Sequence, residues 1–261
     1  MLLHIGAFHV DVDSKRTTPW HALAPRTRLL CAVLSVFAIA LTPNGHWLTW
    51  AIYGIGVAGV ILLARVTLPV LLKRVGIEFA FVGVVLLGTL FQPGGEVLWS
   101  WGWLQITTEG LTVLGSVTLK VLLSLLTLNV LILTTSIPAL LHALTVLRTP
   151  PLLVAILASM YRYIGVLMGE LNAMRRAAAA RNFSGSNRWQ RLVVGNMIGA
   201  LFIRTYERGE RVYQAMLARG YTGLPPVGEV PKGNWRDILA LTLTLIWALV
   251  GQLAGTMILE L

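Results

Sequence analysis

Carboxylates and cysteines are both scarce in this chain. Its 261 residues hold 11 Asp and Glu against 21 Lys and Arg, with one cysteine and a net charge of +10. A single Cys31 excludes an intrachain disulfide, a cysteine-based metal site and a redox pair, and its apolar surroundings in sequence mark it as an inert core residue. No G-x-x-x-x-G-K-[ST] occurs, which excludes nucleotide binding through a P-loop. H-E-x-x-H, G-x-S-x-G and paired acids within an apolar run are also missing, and the five histidines are scattered. Hydrolytic and metal chemistry therefore lack their residues.

Charged residues make up only 12% of the chain and hydrophobic ones 56%, with a mean hydropathy of +0.74. These values belong to an integral membrane protein rather than a soluble one. The basic excess flanks apolar runs and mixes with Met, Leu and Tyr, a membrane pattern and not a nucleic-acid one. No signal peptide is read at the start, because Asp11, Asp13, Lys15 and Arg16 precede the first apolar run. His4, His9, Asp11 and Asp13 carry ligand chemistry for a divalent ion. Their spacing supports no defined site, and a solvated or interfacial tail is the competing reading.

Apolar runs at 29–42, 47–64, 75–91, 110–135 and 238–259 predict five transmembrane helices, since about 20 residues cross a bilayer. Thr42-Pro-Asn-Gly45 turns the first two into a hairpin, with a re-entrant pair as the alternative. The turn at Asn44 and the loop 92–109 contain no Lys or Arg, whereas Arg26, Arg28, Arg65, Lys73, Arg74 and the whole segment 148–236 share the other side. The positive-inside bias then puts the N-terminus in the cytoplasm and the C-terminus outside. Trp47, Trp50, Trp99, Trp101 and Trp103 would form an outer aromatic belt.

The run 152–168 is apolar enough to compete as a further span. Threading it would bury Arg162, at about 2.5 kcal/mol or more, and would move the basic segment outside. It reads instead as an amphipathic cytoplasmic helix with Leu157, Tyr161, Ile164, Met168 and Leu171 on one side. After the loop 182–186, a second helix runs to Ala218. At about 100° per residue it sets Arg204, Arg208, Arg211 and Arg219 opposite Phe202, Tyr206, Tyr213 and Met216. The fold class is thus all-α: an interfacial segment 1–27, four spans in 28–136, cytoplasmic helices in 137–236 and a last span in 237–261.

Gly54, Gly56 and Gly59 spell G-x-G-x-x-G inside a span with no strand before it, so helix packing explains them better than a dinucleotide. The same packing is expected of Gly251 with Gly255, Gly165 with Gly169 and Gly195 with Gly199. Lys120, alone in the fourth run, is an intramembrane functional candidate. Glu78 or Glu109 would neutralise it, or it would snorkel to the headgroups. Asn129 reads as an interhelical hydrogen bond.

The two basic helices each end on an Ala-Arg pair, Ala180-Arg181 and Ala218-Arg219. Lipid attraction accounts for the charge along a flank but poorly for arginine at each tip, where a small neighbour frees the guanidinium to enter an acidic groove. Here the chain resembles the transmembrane coupling components of energy-coupling factor importers, a branch of the ABC transporters, and the CbiQ proteins of cobalt uptake in particular. The resemblance rests on Trp20-His-Ala-Leu-Ala-Pro-Arg-Thr-Arg-Leu-Leu30, on Ala179-Ala-Arg181, on Ala218-Arg-Gly-Tyr221 and on the order of spans and cytoplasmic helices. Asn182 stands where the family often has glycine.

The resemblance implies a non-catalytic subunit of the bacterial inner membrane. Ala180, Arg181, Ala218, Arg219 and Gly220 would dock on two cytosolic CbiO-like ATPases, with Arg204, Arg208 and Arg211 in support. ATP and Mg would sit on those partners, and this chain would bind no cofactor. Motion would pass to a CbiM-like substrate-binding membrane subunit with a small accessory subunit. Cobalt, nickel and other micronutrients remain alternatives as cargo, and a secondary transporter is the alternative class. The orientation is directly testable: a tag after Leu261 should react with a membrane-impermeant reagent in intact cells with permeabilised outer membrane. Labelling only after lysis would overturn the five-span topology.

Overall fold

A computed structural model describes residues 18–89, 97–101, 104–181, 187–222 and 234–257. Pro25 opens α1 (Pro25–Leu41) at the first turn, where its missing N–H costs nothing. Gly45, at φ +91°, turns the chain into α2 (Trp47–Ala64), as the Pro-Asn-Gly sequence leads one to expect. After α3 (Leu68–Thr89) comes a short antiparallel hairpin of β1 (Val97–Trp101) and β2 (Leu104–Thr107), with Trp99 opposite Ile106. By sequence the stretch 92–109 is a loop between spans. Its aromatic and β-branched residues favour paired strands instead.

Thr107 then caps α4 (Thr108–Thr134), its Oγ1 accepting the Gly110 N–H at 3.1 Å. There follow α5 (Ile137–Val146), α6 (Pro151–Ala180), α7 (Asn187–Ala218) and α8 (Trp235–Met257). Apart from the hairpin, the regular structure of the described residues is all helical. By length and composition α2, α4, α6 and α8 can cross a membrane. Helix α1, at 17 residues, and α3, with Lys73, Arg74 and Glu78, fall outside that measure.

The chain divides into two compact units, Met1–Ala143 with Val230–Leu261, and Leu144–Glu229. In the first, α1, α4, α2 and α8 pack in a ring, and α3 packs on α4. Three layers succeed one another along the ring. At the end carrying the α1–α2 turn, Ile39, Trp50, Tyr53 and Leu123 form a buried cluster. Its closeness comes from glycine: a Cβ on Gly56 would clash with the Trp247 indole, and one on Gly251 with the Tyr53 ring. Gly54 and Gly59 have no such neighbour, so only the middle glycine of G-x-G-x-x-G carries the packing.

A middle layer of smaller side chains follows, and the far end is built on Arg28. This arginine is 8% exposed. Its Nη1 donates to the Thr134 carbonyl at 2.7 Å and to Thr135 Oγ1 at 3.3 Å, its Nη2 to the His21 carbonyl at 3.1 Å and its Nε to the Leu23 carbonyl at 3.1 Å. The Trp20 indole donates to Thr134 Oγ1 at 3.1 Å. Asp237 accepts from the Asn234 N–H at 3.1 Å, the backward half of a capping box, and from the Ala24 N–H at 2.9 Å. The segment before α1 is thereby tied to the end of α4 and the start of α8.

Replacing Arg28 by lysine keeps the charge but loses the planar fork that reaches four acceptors. Each hydrogen bond to a buried charged group contributes about 1.5–3 kcal/mol. The Arg28→Lys protein in detergent should unfold at clearly lower temperature than the parent, by about 2–4 kcal/mol in denaturant titration. Unchanged unfolding would contradict this account of the buried end.

Candidate functional site

Helix α7 ends because Gly220 adopts φ +79°, a left-handed conformation that glycine enters without a Cβ penalty. The Tyr221 N–H reaches back to the Met216 carbonyl at 3.0 Å and the Gly220 N–H to the Leu217 carbonyl at 2.9 Å. This is the Schellman pair of bonds. Arg219 is therefore the cap residue of a firmly closed helix, and it is exposed together with Ala218 and Gly220. The Ala-Arg-Gly order thus has a local reason: alanine to the last turn, arginine at the cap, glycine at the left-handed position.

Helix α6 closes differently. Its alanine run 177–180 leads to Arg181 at φ −92° and ψ 15°, whose N–H bonds to the Ala178 carbonyl at 3.1 Å. Ala180 and Arg181 are exposed, and Asn182 and the rest of the loop 182–186 lie outside the described residues. Among the described residues, neither Arg181 nor Arg219 pairs with a carboxylate. Both predicted tips are accordingly exposed guanidinium groups at helix ends.

The supporting arginines divide by role. Arg208 pairs with Glu170, joining α7 to α6. Its charge is thus used between the two helices. Arg211 lies 3.8 Å from Glu207 one turn earlier on the exposed surface, an arrangement worth little to stability. Arg204 borders a groove between α6 and α7 whose other basic member is Arg181. The basic side of α7 thus turns toward α6, while Phe202, Tyr206 and Tyr213 are 73%, 68% and 51% exposed. Gly165, Gly169, Gly195 and Gly199 would have nothing within 4 Å of an added Cβ. They do not mediate the close crossing expected of them.

Lys120 meets neither acid expected as its partner. Its Nζ stands 6.0 Å from the centroid of the Trp50 ring, a cation–π contact. Glu78 is instead taken by Asn129, whose Nδ2 donates to it at 2.7 Å, the interhelical bond predicted for that asparagine. Trp50 is 3% exposed, so it is a core residue and not part of an aromatic belt, whereas Trp47 is 57% exposed. For Trp99, Trp101 and Trp103 the belt assignment falls on side chains outside the described ones. Among the described residues no three His, Cys, Asp or Glu side chains gather to hold a metal ion. His4, His9, Asp11 and Asp13 lie outside them.

Sequence reasoning missed the Arg28–Asp237 end of the bundle. By sequence Arg28 is a topology marker and part of the Trp20–Leu30 motif, with no sign of its burial, although the Asn234-x-x-Asp237 spacing before an apolar run is a visible capping signal.

Comparison with known proteins adds an independent line. The family described as cobalt transport protein, CbiQ, matches residues 16–230. The energy-coupling factor transporter transmembrane protein EcfT of Lacticaseibacillus paracasei is 30% identical over 215 residues, covering 78% of this chain and 81% of that one. The protein of the same name from Bacillus subtilis is 29% identical, with 78% and 80% covered. A protein of Methanocorpusculum labreanum named as a fused cobalt transport protein, CbiMQ, is 29% identical over 262 residues, or 96% of this chain and 43% of that one.

The Schellman closure of α7 yields a local test. Alanine at position 220 forces a Cβ into the left-handed region at about 1–2 kcal/mol. In the Gly220→Ala protein the amides of residues 220 and 221 should exchange hydrogen about 5- to 30-fold faster, with the bundle amides unaffected. Unaltered exchange would show that the closure does not depend on glycine.

Proposed function

The chain belongs to the CbiQ family of cobalt transport proteins, and from that membership we propose that it is the coupling subunit of an energy-coupling factor importer that carries cobalt ion. Its relatives are transmembrane components of such transporters, and the chain is itself a multi-pass membrane protein. Its part is mechanical, not catalytic. Arg181 and Arg219 each enter an acidic groove on one of two cytosolic CbiO-like ATPase subunits, where ATP and Mg bind and are hydrolysed. Closure of the ATPase pair moves α6 against α7, and the motion passes to a CbiM-like membrane subunit that binds the cargo, with a small accessory subunit beside it.

The observation that carries this reading is the pair of exposed, carboxylate-free arginines at the closed ends of two long helices. A guanidinium fork makes several charge-assisted hydrogen bonds at once, and a helix of 30 or 32 residues transmits displacement along its length. The fusion in the archaeal relative, named for both M and Q parts, supports a membrane partner of the first kind. Cobalt as cargo is supported by the family description and by that relative's name.

In this reading α6 and α7 lie at the cytoplasmic face, the N-terminus is inside and the C-terminus outside. Composition alone lets α6 cross a bilayer, but crossing would bury Arg162, which stands 5.9 Å from the Tyr163 ring, along with the charge cost already given.

Arg181→Ala and Arg219→Ala should each weaken co-purification of the ATPase and cobalt uptake at equal expression, and the double variant should nearly abolish both. Losing a paired interface arginine costs about 2–5 kcal/mol, because the partner carboxylate is left unpaired. Arg175→Ala, on the exposed surface of α6, serves as the control and should change little. Normal pull-down and uptake by the double variant would sink the coupling assignment.

A further inference from the structure

The middle layer of the first unit encloses a cavity of about 170 Å³ between α1, α2, α4 and α8. Cys31, Ala32, Ser35, Val57, Thr127 and Thr244 form much of its wall. The hydroxyl and indole donors of that wall are already engaged elsewhere. Ser35 Oγ donates to the Cys31 carbonyl at 2.7 Å, Thr127 Oγ1 to the Leu123 carbonyl and Thr244 Oγ1 to the Ala240 carbonyl, both at 2.8 Å. The indole groups of Trp20 and Trp247, which also border the space, donate to Thr134 Oγ1 and to the Ile52 carbonyl at 3.1 and 3.2 Å. Among the described residues no charged side chain lines it. A water molecule needs two to four polar partners, whereas an apolar cavity of about 150 Å³ takes benzene or xenon and excludes water.

Position selects the occupant. Residues 31–35 fall midway along α1 and residues 56–60 midway along α2, at the depth where lipid chains end in a spanned bilayer. Leu243 belongs to the wall and is 57% exposed, so the wall continues to the outer surface of α8. We propose that this cavity binds an apolar chain, and that its occupant is the terminal segment of an acyl chain from a bilayer lipid, entering beside Leu243. The four-helix ring then completes its packing with a component of the surrounding membrane.

The full chain in bilayers containing a phosphatidylcholine with a diazirine near the end of one acyl chain gives the test. After irradiation, residue-level peptide mapping should find adducts on the buried lining residues Cys31, Ser35 and Val57 as well as on the outward positions Phe37 and Leu249, which are 63% and 53% exposed. Filling the space with Ala32→Leu and Thr127→Leu should lower the lining adducts at least tenfold and leave those on Phe37 and Leu249 unchanged. A second arm uses the unaltered chain: moving the diazirine next to the glycerol should remove the lining adducts. Adducts confined to the outward positions, or lining adducts that persist with the glycerol-proximal probe, would overturn the proposal.

Discussion

A buried guanidinium must find acceptors for its donors, and in this protein that requirement organises one end of the helix bundle. Arg28 sits at the start of α1 with four hydrogen bonds, two of them to the last residues of α4 and two to the segment before α1. The Thr134 carbonyl it meets is one of those a helix end leaves without an intrahelical partner. The arginine thus answers two deficits together, its own desolvation and the open end of α4. Asp237 does the corresponding work at α8, where it satisfies the N–H of the cap residue Asn234 and that of Ala24.

Away from that end, the bundle is held by shape. Helices in lipid gain little from burying apolar surface against one another, so close contact and hydrogen bonds carry the association. Trp247 over Gly56 and Tyr53 over Gly251 are such contacts, and each ring also hydrogen-bonds a backbone carbonyl of the opposite helix. The large rings fill the layer nearest the α1–α2 turn. The next layer, made of Cys31, Ala32, Ser35 and Thr127, lacks the volume to close, which leaves the apolar cavity.

The second unit is organised by charge and helix ends, not by a core. Val154 is the one described residue of α6 that is buried, and the Glu170–Arg208 pair joins α6 to α7. Pairing the basic side of α7 with α6 leaves Phe202, Tyr206 and Tyr213 outward. Long helices so joined can shift relative to each other without dismantling a packed interior, as the proposed coupling role requires.

Membrane class, the α1–α2 turn at Gly45, both basic helices and their arginine tips were legible in the sequence, because each depends on local chemistry: apolar run length, a turn composition, a 3.6-residue period, an Ala-Arg-Gly end. The aromatic and β-branched stretch 97–107 carried a strand signal too, which its place between spans obscured. The distant partners of Lys120, Arg28, Asp237 and Arg208 were decided only by tertiary structure. Those contacts join residues from 38 to more than 200 positions apart, and a side chain's charge does not say which distant group will lie opposite. The same holds for glycine: among the described members of the spaced pairs, Gly56 and Gly251 alone face a ring, since spacing along one helix cannot reveal what its neighbour presents.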